Sequence, residues 1–266
     1  MRRSTVALLL APAFLFLLFG FLAPIAVGLG ESLQAGLGLY GKIFGDSYYL
    51  EVIASTLALS AVVTLISLAI GYPYALILAR ARGWRKAALL LLLVAPLLVN
   101  VVVRSFGWMV VFGRSGLINA VLAAVGLPAL DMLNSWTAIV IALVHVLMPF
   151  MVLSIAATLE SLDPALEEAA ATLGARPLRA FVHVVVPLSL HGAVTGSILV
   201  FALCMGSFVT VMMMGGNSTM VLPLLIYQQL TVAGDQAFAA ALGMVLLATV
   251  VAVFWLQGRL VRGLRP

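Results

Sequence analysis

The chain has 266 residues, 64% of them hydrophobic and only 9% charged, with a formal net charge of +5. Soluble domains carry about 25% charged residues. One globular core of this length cannot hide so much apolar surface, so the composition excludes a water-soluble protein and points to lipid as the solvent. The positive balance would suit nucleic acid, but the basic residues stand at the ends of apolar runs, as topology signals do.

In chain order, Arg2 and Arg3 precede an apolar run that is too long for a signal peptide and lacks a small-residue cleavage site. The segment 6–30 therefore reads as a retained first transmembrane helix. Residues 31–50 are polar and glycine-rich, with Tyr40, Tyr48 and Tyr49 as interfacial aromatics. A second span, 51–80, holds Gly71-Tyr72-Pro73, which predicts a kink tolerable in a membrane. The basic cluster Arg80, Arg82, Arg85 and Lys86 separates it from a third span at 87–112. Turn residues then flank a short helix at 117–125, expected to lie at the interface. Further spans are expected at 136–159, 188–214 and 238–256, the first of them containing Pro149. Cys204 lies inside an apolar run and reads as a small packing residue. The expected fold class is an all-α membrane protein of six transmembrane helices, one transmembrane domain over 1–266.

Six spans place the loops at 80–87 and 160–187 on one side with both termini. That side holds Arg2, Arg3, Arg80, Arg82, Arg85, Lys86, Arg176, Arg179, Arg259, Arg262 and Arg265, eleven of the fourteen basic residues. Positive loops stay in the cytosol, so both termini and the 160–187 loop are expected there.

The 160–187 loop carries Glu160, Asp163, Glu167 and Glu168, four of the nine acidic residues. Asp163 suits an N-cap, Pro164 the first helical position, and the two glutamates the positive end of the helix dipole. Gly174 sits where a left-handed C-terminal residue belongs, and Arg176-Pro177 opens a second helix that reaches Pro187. Leu166, Ala169, Ala170 and Leu173 form an apolar stripe. Such a stripe either folds back on its own bundle, the reading favoured by the residues alone, or enters a partner's groove.

Glu168-Ala169-Ala170, Gly174, Val184, Val186 and Pro187 match the spacing of the EAA signature of ABC-importer permeases, which the chain resembles. Gly71-Tyr72-Pro73-Tyr74-Ala75, Val103-Arg104-Ser105-Phe106-Gly107-Trp108, Leu147-Met148-Pro149-Phe150-Met151 and Met214-Gly215-Gly216 look like the spermidine/putrescine-type branch. The resemblance implies a type I importer permease fold in a bacterial inner membrane. It also implies a second, different permease, two ATP-binding subunits and an extracytoplasmic solute-binding protein as partners. The short helix becomes a coupling helix, with Asp163, Glu167, Glu168, Ala169, Ala170, Leu173, Gly174 and Arg176 facing the ATPase. No glycine-rich phosphate loop with lysine occurs, so ATP and Mg are expected on the partner, and this chain is the pore and not an enzyme.

Asn100, Arg104 and Trp108 recur one turn apart and share a helix face. Arg104 is the charge placed deep in a span. It faces the solute route, or it ties helices together or snorkels outward; the residues leave these open. His145, alone among apolar residues, is more readily a packing group than a ligand. His183 and His191 have no metal-ligand spacing, so no metal is expected. Gly192 and Gly196 read as a packing step. The resemblance implies that the fifth span lines the path, which adds Ser207, Phe208 and Thr210. Relatives of the polyamine type place a carboxylate near its outer end, where this chain reads Phe208 to Met214 without an acid. Either the second permease supplies the acids, or the solute is zwitterionic, anionic or neutral; a small polar organic solute of polyamine or amino-acid-derivative type is expected. Two other classes compete. An ion-coupled secondary transporter commonly shows internal repeats and titratable groups at the midplane, and neither a repeat between the halves nor a membrane-core acid to carry a proton is evident. An intramembrane hydrolase pairing Ser197 or Ser207 with His145 has no supporting signature.

Overall fold

The computed structural model describes residues 3–34, 36–163, 165–215 and 219–263, with side chains except at 3–10, 13, 167, 171 and 260–263. Among them every regular element is helical: α1 (Arg3–Leu33), α2 (Gly38–Gly45), α3 (Ser47–Arg80), α4 (Gly83–Leu98), α5 (Val101–Phe112), α6 (Leu117–Ala124), α7 (Trp136–Glu160), α8 (Ala165–Thr172), α9 (Pro177–Ala180), α10 (Val186–Met205), α11 (Val209–Gly215), α12 (Leu222–Gln228) and α13 (Gln236–Gly263). Six stretches of the described residues are long and apolar enough to cross a bilayer. Ser47–Arg80, Trp136–Glu160 and Gln236–Arg259 start and end near the expected spans, Phe14–Leu33 overlaps the first, and Pro177–Met205 starts and ends well before the expected 188–214.

The third differs. The expected span 87–112 is two helices, broken at Val99 and Asn100, and the membrane-length apolar stretch is α5 with α6, Val101–Ala124. The sixteen residues of α4 rise only about 24 Å, short of the hydrocarbon thickness. The expected fifth span, 188–214, is likewise divided into α10 and α11.

The chain divides into two compact units, Met1–Glu51 with Leu225–Thr249, and Val52–Leu224 with Val250–Pro266. In the first, Ser32 Oγ and Tyr40 Oη meet at 2.8 Å, and Tyr49 meets Phe238 edge to face at 5.3 Å. Lys42 Nζ lies 4.8 Å over the Phe238 ring, a cation–π contact. Asp235 accepts from the Phe238 amide and caps α13. Phe14, Phe16 and Phe19 on α1 are exposed, as lipid-facing side chains are.

The second unit is built round α7. This helix is apolar on all sides and therefore suited to burial on all sides; Ile139, Leu143, Met151, Val152 and Ile155 are fully buried. Its main partner is α10, whose Gly192 and Gly196 let the backbones close. A Cβ on Gly192 would lie 2.8 Å from the Ser154 carbonyl oxygen, and one on Gly196 2.8 Å from Met151 Sδ. Ser154 Oγ donates to the Gly192 carbonyl at 3.0 Å across the same seam. The Gly71-Tyr72-Pro73-Tyr74 motif also serves packing. Helix α3 continues through Pro73, Tyr72 Oη meets buried Ser189 Oγ of α10 at 2.6 Å, and Tyr74 Oη donates to the Leu89 carbonyl of α4. Pro187, which lacks an N–H, is preceded by a π-helical turn, Phe181–Val185, so α9 and α10 join without a break.

Candidate functional site

One candidate surface is the α8 segment. Asp163 Oδ1 accepts from the Ala165 amide at 2.9 Å, satisfying a donor of the first turn. Glu168 is exposed, and Thr172 Oγ1 donates to its carbonyl. At the other end Gly174 has φ +81°, and the Ala175 amide donates to the Ala170 carbonyl at 3.0 Å, the long bond of a Schellman turn. Arg176 precedes Pro177 as the N-cap residue of α9, its carbonyl accepting from Arg179 and Ala180. Pro164 and the Glu167 side chain lie outside the described residues. Most of the stripe that the residues alone would fold back is open to solvent: Leu173 is 89% exposed, Leu166 44%, and Ala169 is also exposed, while Ala170 is half-buried.

The same end of the unit holds a cleft of about 620 Å³. Arg80, Arg82 and Lys86 from the α3–α4 turn line it, together with Glu160, Asp163 and Glu168. Lys86 Nζ and Glu160 Oε1 pair at 2.9 Å, which fastens the two loops to each other.

The second candidate surface is the membrane path, and here the structure separates the expected residues. Asn100 caps α5, its Oδ1 accepting from the Val102 amide at 2.9 Å. Arg104 Nη1 donates to the Pro96 carbonyl at 2.6 Å and the Val99 carbonyl at 3.3 Å. Those carbonyls belong to the C-terminal end of α4, where a cation also suits the helix dipole. Asn100 and Arg104 thus close the α4–α5 break from both sides. Trp108 stacks on Phe112 at 4.9 Å and presents its ring to His145 at 5.4 Å, edge to face. This brings α5 against α7 and makes an aromatic surface of Trp108 and exposed His145. Thr210 is buried, its Oγ1 3.4 Å from Ser105 Oγ, a polar seam between α11 and α5. Ser207 Oγ donates to the Leu203 carbonyl, and Phe208 accepts from the Met212 amide where α11 starts. Ser197 Oγ donates to the Ala193 carbonyl, so both serines of the hydrolase reading are bonded to carbonyls of α10. Gly216 lies outside the described residues, and no group of three metal-ligating side chains occurs among the described ones.

Two contributors were missed from the residues. Ser105 is polar and stands beside Arg104 in an apolar run, which was a readable sign of a second helix contact. Asn119 is buried, donates to the Gly113 and Leu130 carbonyls and accepts from the Leu130 amide, pinning the 113–130 loop. Its sign was an amide on the apolar stripe of a short helix.

Residues 71–266 match the model of the binding-protein-dependent transport system inner membrane component family. The chain is 30% identical, over 97% of its length and 94% of the relative's, to the spermidine/putrescine transport system permease protein PotB of Haemophilus influenzae. It is 37% identical, over 71% of each chain, to the molybdenum transport system permease protein ModB of Mycobacterium tuberculosis. Its fold is similar to that of a chain in the crystal structure of a bacterial ABC transporter involved in import of the acidic polysaccharide alginate. That similarity has a TM-score of 0.86 at 16% identity and covers 100% of this chain and 97% of the other. The chain belongs to the family of binding-protein-dependent transport system inner membrane components. It is a multi-pass permease subunit of an ABC importer.

Proposed function

We propose that this permease receives a small polar organic solute of the polyamine or amino-acid-derivative type from an extracytoplasmic binding protein and passes it inward. It does so as one permease domain beside a second, different permease, driven by two ATP-binding subunits that carry ATP and Mg. Both termini and the 80–87 and 160–187 loops lie in the cytosol, where α8 and its flanking residues, from Asp163 to Arg176, seat on an ATP-binding subunit. The open stripe of Leu166, Ala169 and Leu173 supports that docking.

The observation that carries the solute class is the identity with PotB over nearly the whole chain. The paired rings of Trp108 and His145 support it, because an indole face attracts an organic ammonium without a carboxylate. Arg104 is directed to the α4 carbonyls, which supports a structural part for it. A second reading, a molybdenum-containing solute, follows from the higher identity with ModB over a shorter stretch. Mass spectrometry and calorimetry of the purified cognate binding protein decide between them. A bound amine or amino-acid derivative supports the first reading, and a metal oxyanion replaces it with the second.

A further inference from the structure

The turn between α3 and α4 reads Arg80-Ala81-Arg82-Gly83-Trp84-Arg85-Lys86, four cations around one indole. The cleft accounts for part of this cluster, since Lys86 is held by Glu160 and Arg80 lines its wall, while Arg82, the exposed N-cap residue of α4, borders the cleft and adjoins Trp84 and Arg85 in sequence. Trp84 and Arg85 are not in that wall. They stand in the first turn of α4, both exposed, the indole at 77%. A ring of this size in plain water forgoes the stabilisation of burial, whereas a bilayer boundary suits its apolar body and polar N–H. The apolar face continues along the helix. Trp84, Ala88, Leu91 and Leu92 follow the spacing of one helix side, and Leu91 and Leu92 are 67% and 69% exposed.

We propose that Arg82, Trp84 and Arg85 form a site for the headgroup of an anionic phospholipid, with an acyl chain along the Leu91–Leu92 face. Charge selects the lipid class. Neither Arg82 nor Arg85 has an ion-pair partner among the described residues. A zwitterionic headgroup would bring its own ammonium beside the two guanidiniums and lose most of the attraction that an anionic one keeps. Trp255 offers a contrast: it is exposed too, but the Arg259 guanidinium already lies 3.7 Å over its ring, so that pair is satisfied internally.

Native mass spectrometry of the full chain in mild detergent, titrated with phosphatidylglycerol or phosphatidylcholine of the same acyl composition, reads the site without any transport. The expected preference for phosphatidylglycerol is on the order of tenfold from two juxtamembrane arginines. Arg82→Gln with Arg85→Gln should bring the ratio near one, while Arg82→Lys with Arg85→Lys should keep most of it. Trp84→Ala should weaken retention of both lipids alike. Equal retention of the two lipids by the wild type, or an unchanged preference in the double glutamine variant, overturns the proposal. Retention by the chain alone but exclusion from the assembled transporter assigns the patch to a partner subunit and also overturns it. Elution of each variant at the wild-type volume guards against misfolding as the cause.

Discussion

Gly174 sits at φ +81° with open space where a Cβ would stand, so substitution there meets a conformational cost rather than a steric one. Asparagine and aspartate both tolerate that region better than other side chains. Aspartate also adds a negative charge at the negative end of α8. Gly174→Asp should therefore abolish ATP-driven uptake in membrane vesicles, while Gly174→Asn retains a substantial part and both reach the membrane at wild-type amounts on immunoblots. Equal uptake in the two variants would remove the charge argument, and normal uptake with aspartate would remove the coupling role. Arg104 allows a comparable separation. Its two bonds to the end of α4 are charge-assisted, worth roughly 1.5–3 kcal/mol each where they are lost. Arg104→Gln should lower thermal stability and the maximal uptake rate while leaving the solute KM within about twofold of wild type, as loss of positioning rather than uniform binding predicts. A large rise in KM at unchanged maximal rate would make Arg104 a solute ligand. Caps such as Asp163 and Gly174 were legible because their partners are neighbours in sequence. The role of Arg104 was not, because its acceptors are freed only by a helix break that an apolar run conceals.

At the scale of elements, the seam between α7 and α10 makes the sharpest demand on side-chain size. A Cβ at position 192 meets a backbone carbonyl of α7 and the branched Thr158, neither of which can retreat far. At position 196 the closest atom is the sulfur of a flexible methionine. Overpacking of this kind costs about 1–3 kcal/mol, so Gly192→Ala should lower the melting temperature of the purified chain clearly more than Gly196→Ala does. Thermal unfolding followed by loss of a monodisperse elution peak measures the order, and the reverse order would mean that the helices do not approach as described. Runs of apolar residues made α3, α7 and α13 readable with bounds close to those observed. They misread α4 and α5 as one span, because Val99 and Asn100 end one helix and start another inside continuous apolar sequence, and only the Asn100 cap marks the joint. They equally passed over the interruption at Gly206 to Phe208, where a glycine in a span reads as packing as readily as a stop.

For the whole molecule, the distribution of charge and the position of α8 both depend on which side of the membrane each loop occupies. Eleven of fourteen basic residues fall on the side assigned to the cytosol, and each carries a preference for that side during insertion. The Lys86–Glu160 pair ties the two loops of that side together, so they must share a compartment. The single native thiol, Cys204, is 3% exposed and silent toward a water-soluble reagent, which leaves introduced cysteines as clean reporters. Ser161→Cys keeps nearly the same side chain at an exposed position beside the coupling segment, and Leu127→Cys places a thiol in the exposed loop after α6. With a membrane-impermeant maleimide, the thiol at 161 should react in inverted vesicles and stay unlabelled in intact spheroplasts, and the thiol at 127 should show the opposite pattern. Exchange of the two patterns would put α8 outside the cell, where no ATP-binding subunit could reach it. Labelling of both from one side would mean that the number of crossings between residues 127 and 161 is even, and that α7, the buried hub of its unit, does not cross the membrane as one helix.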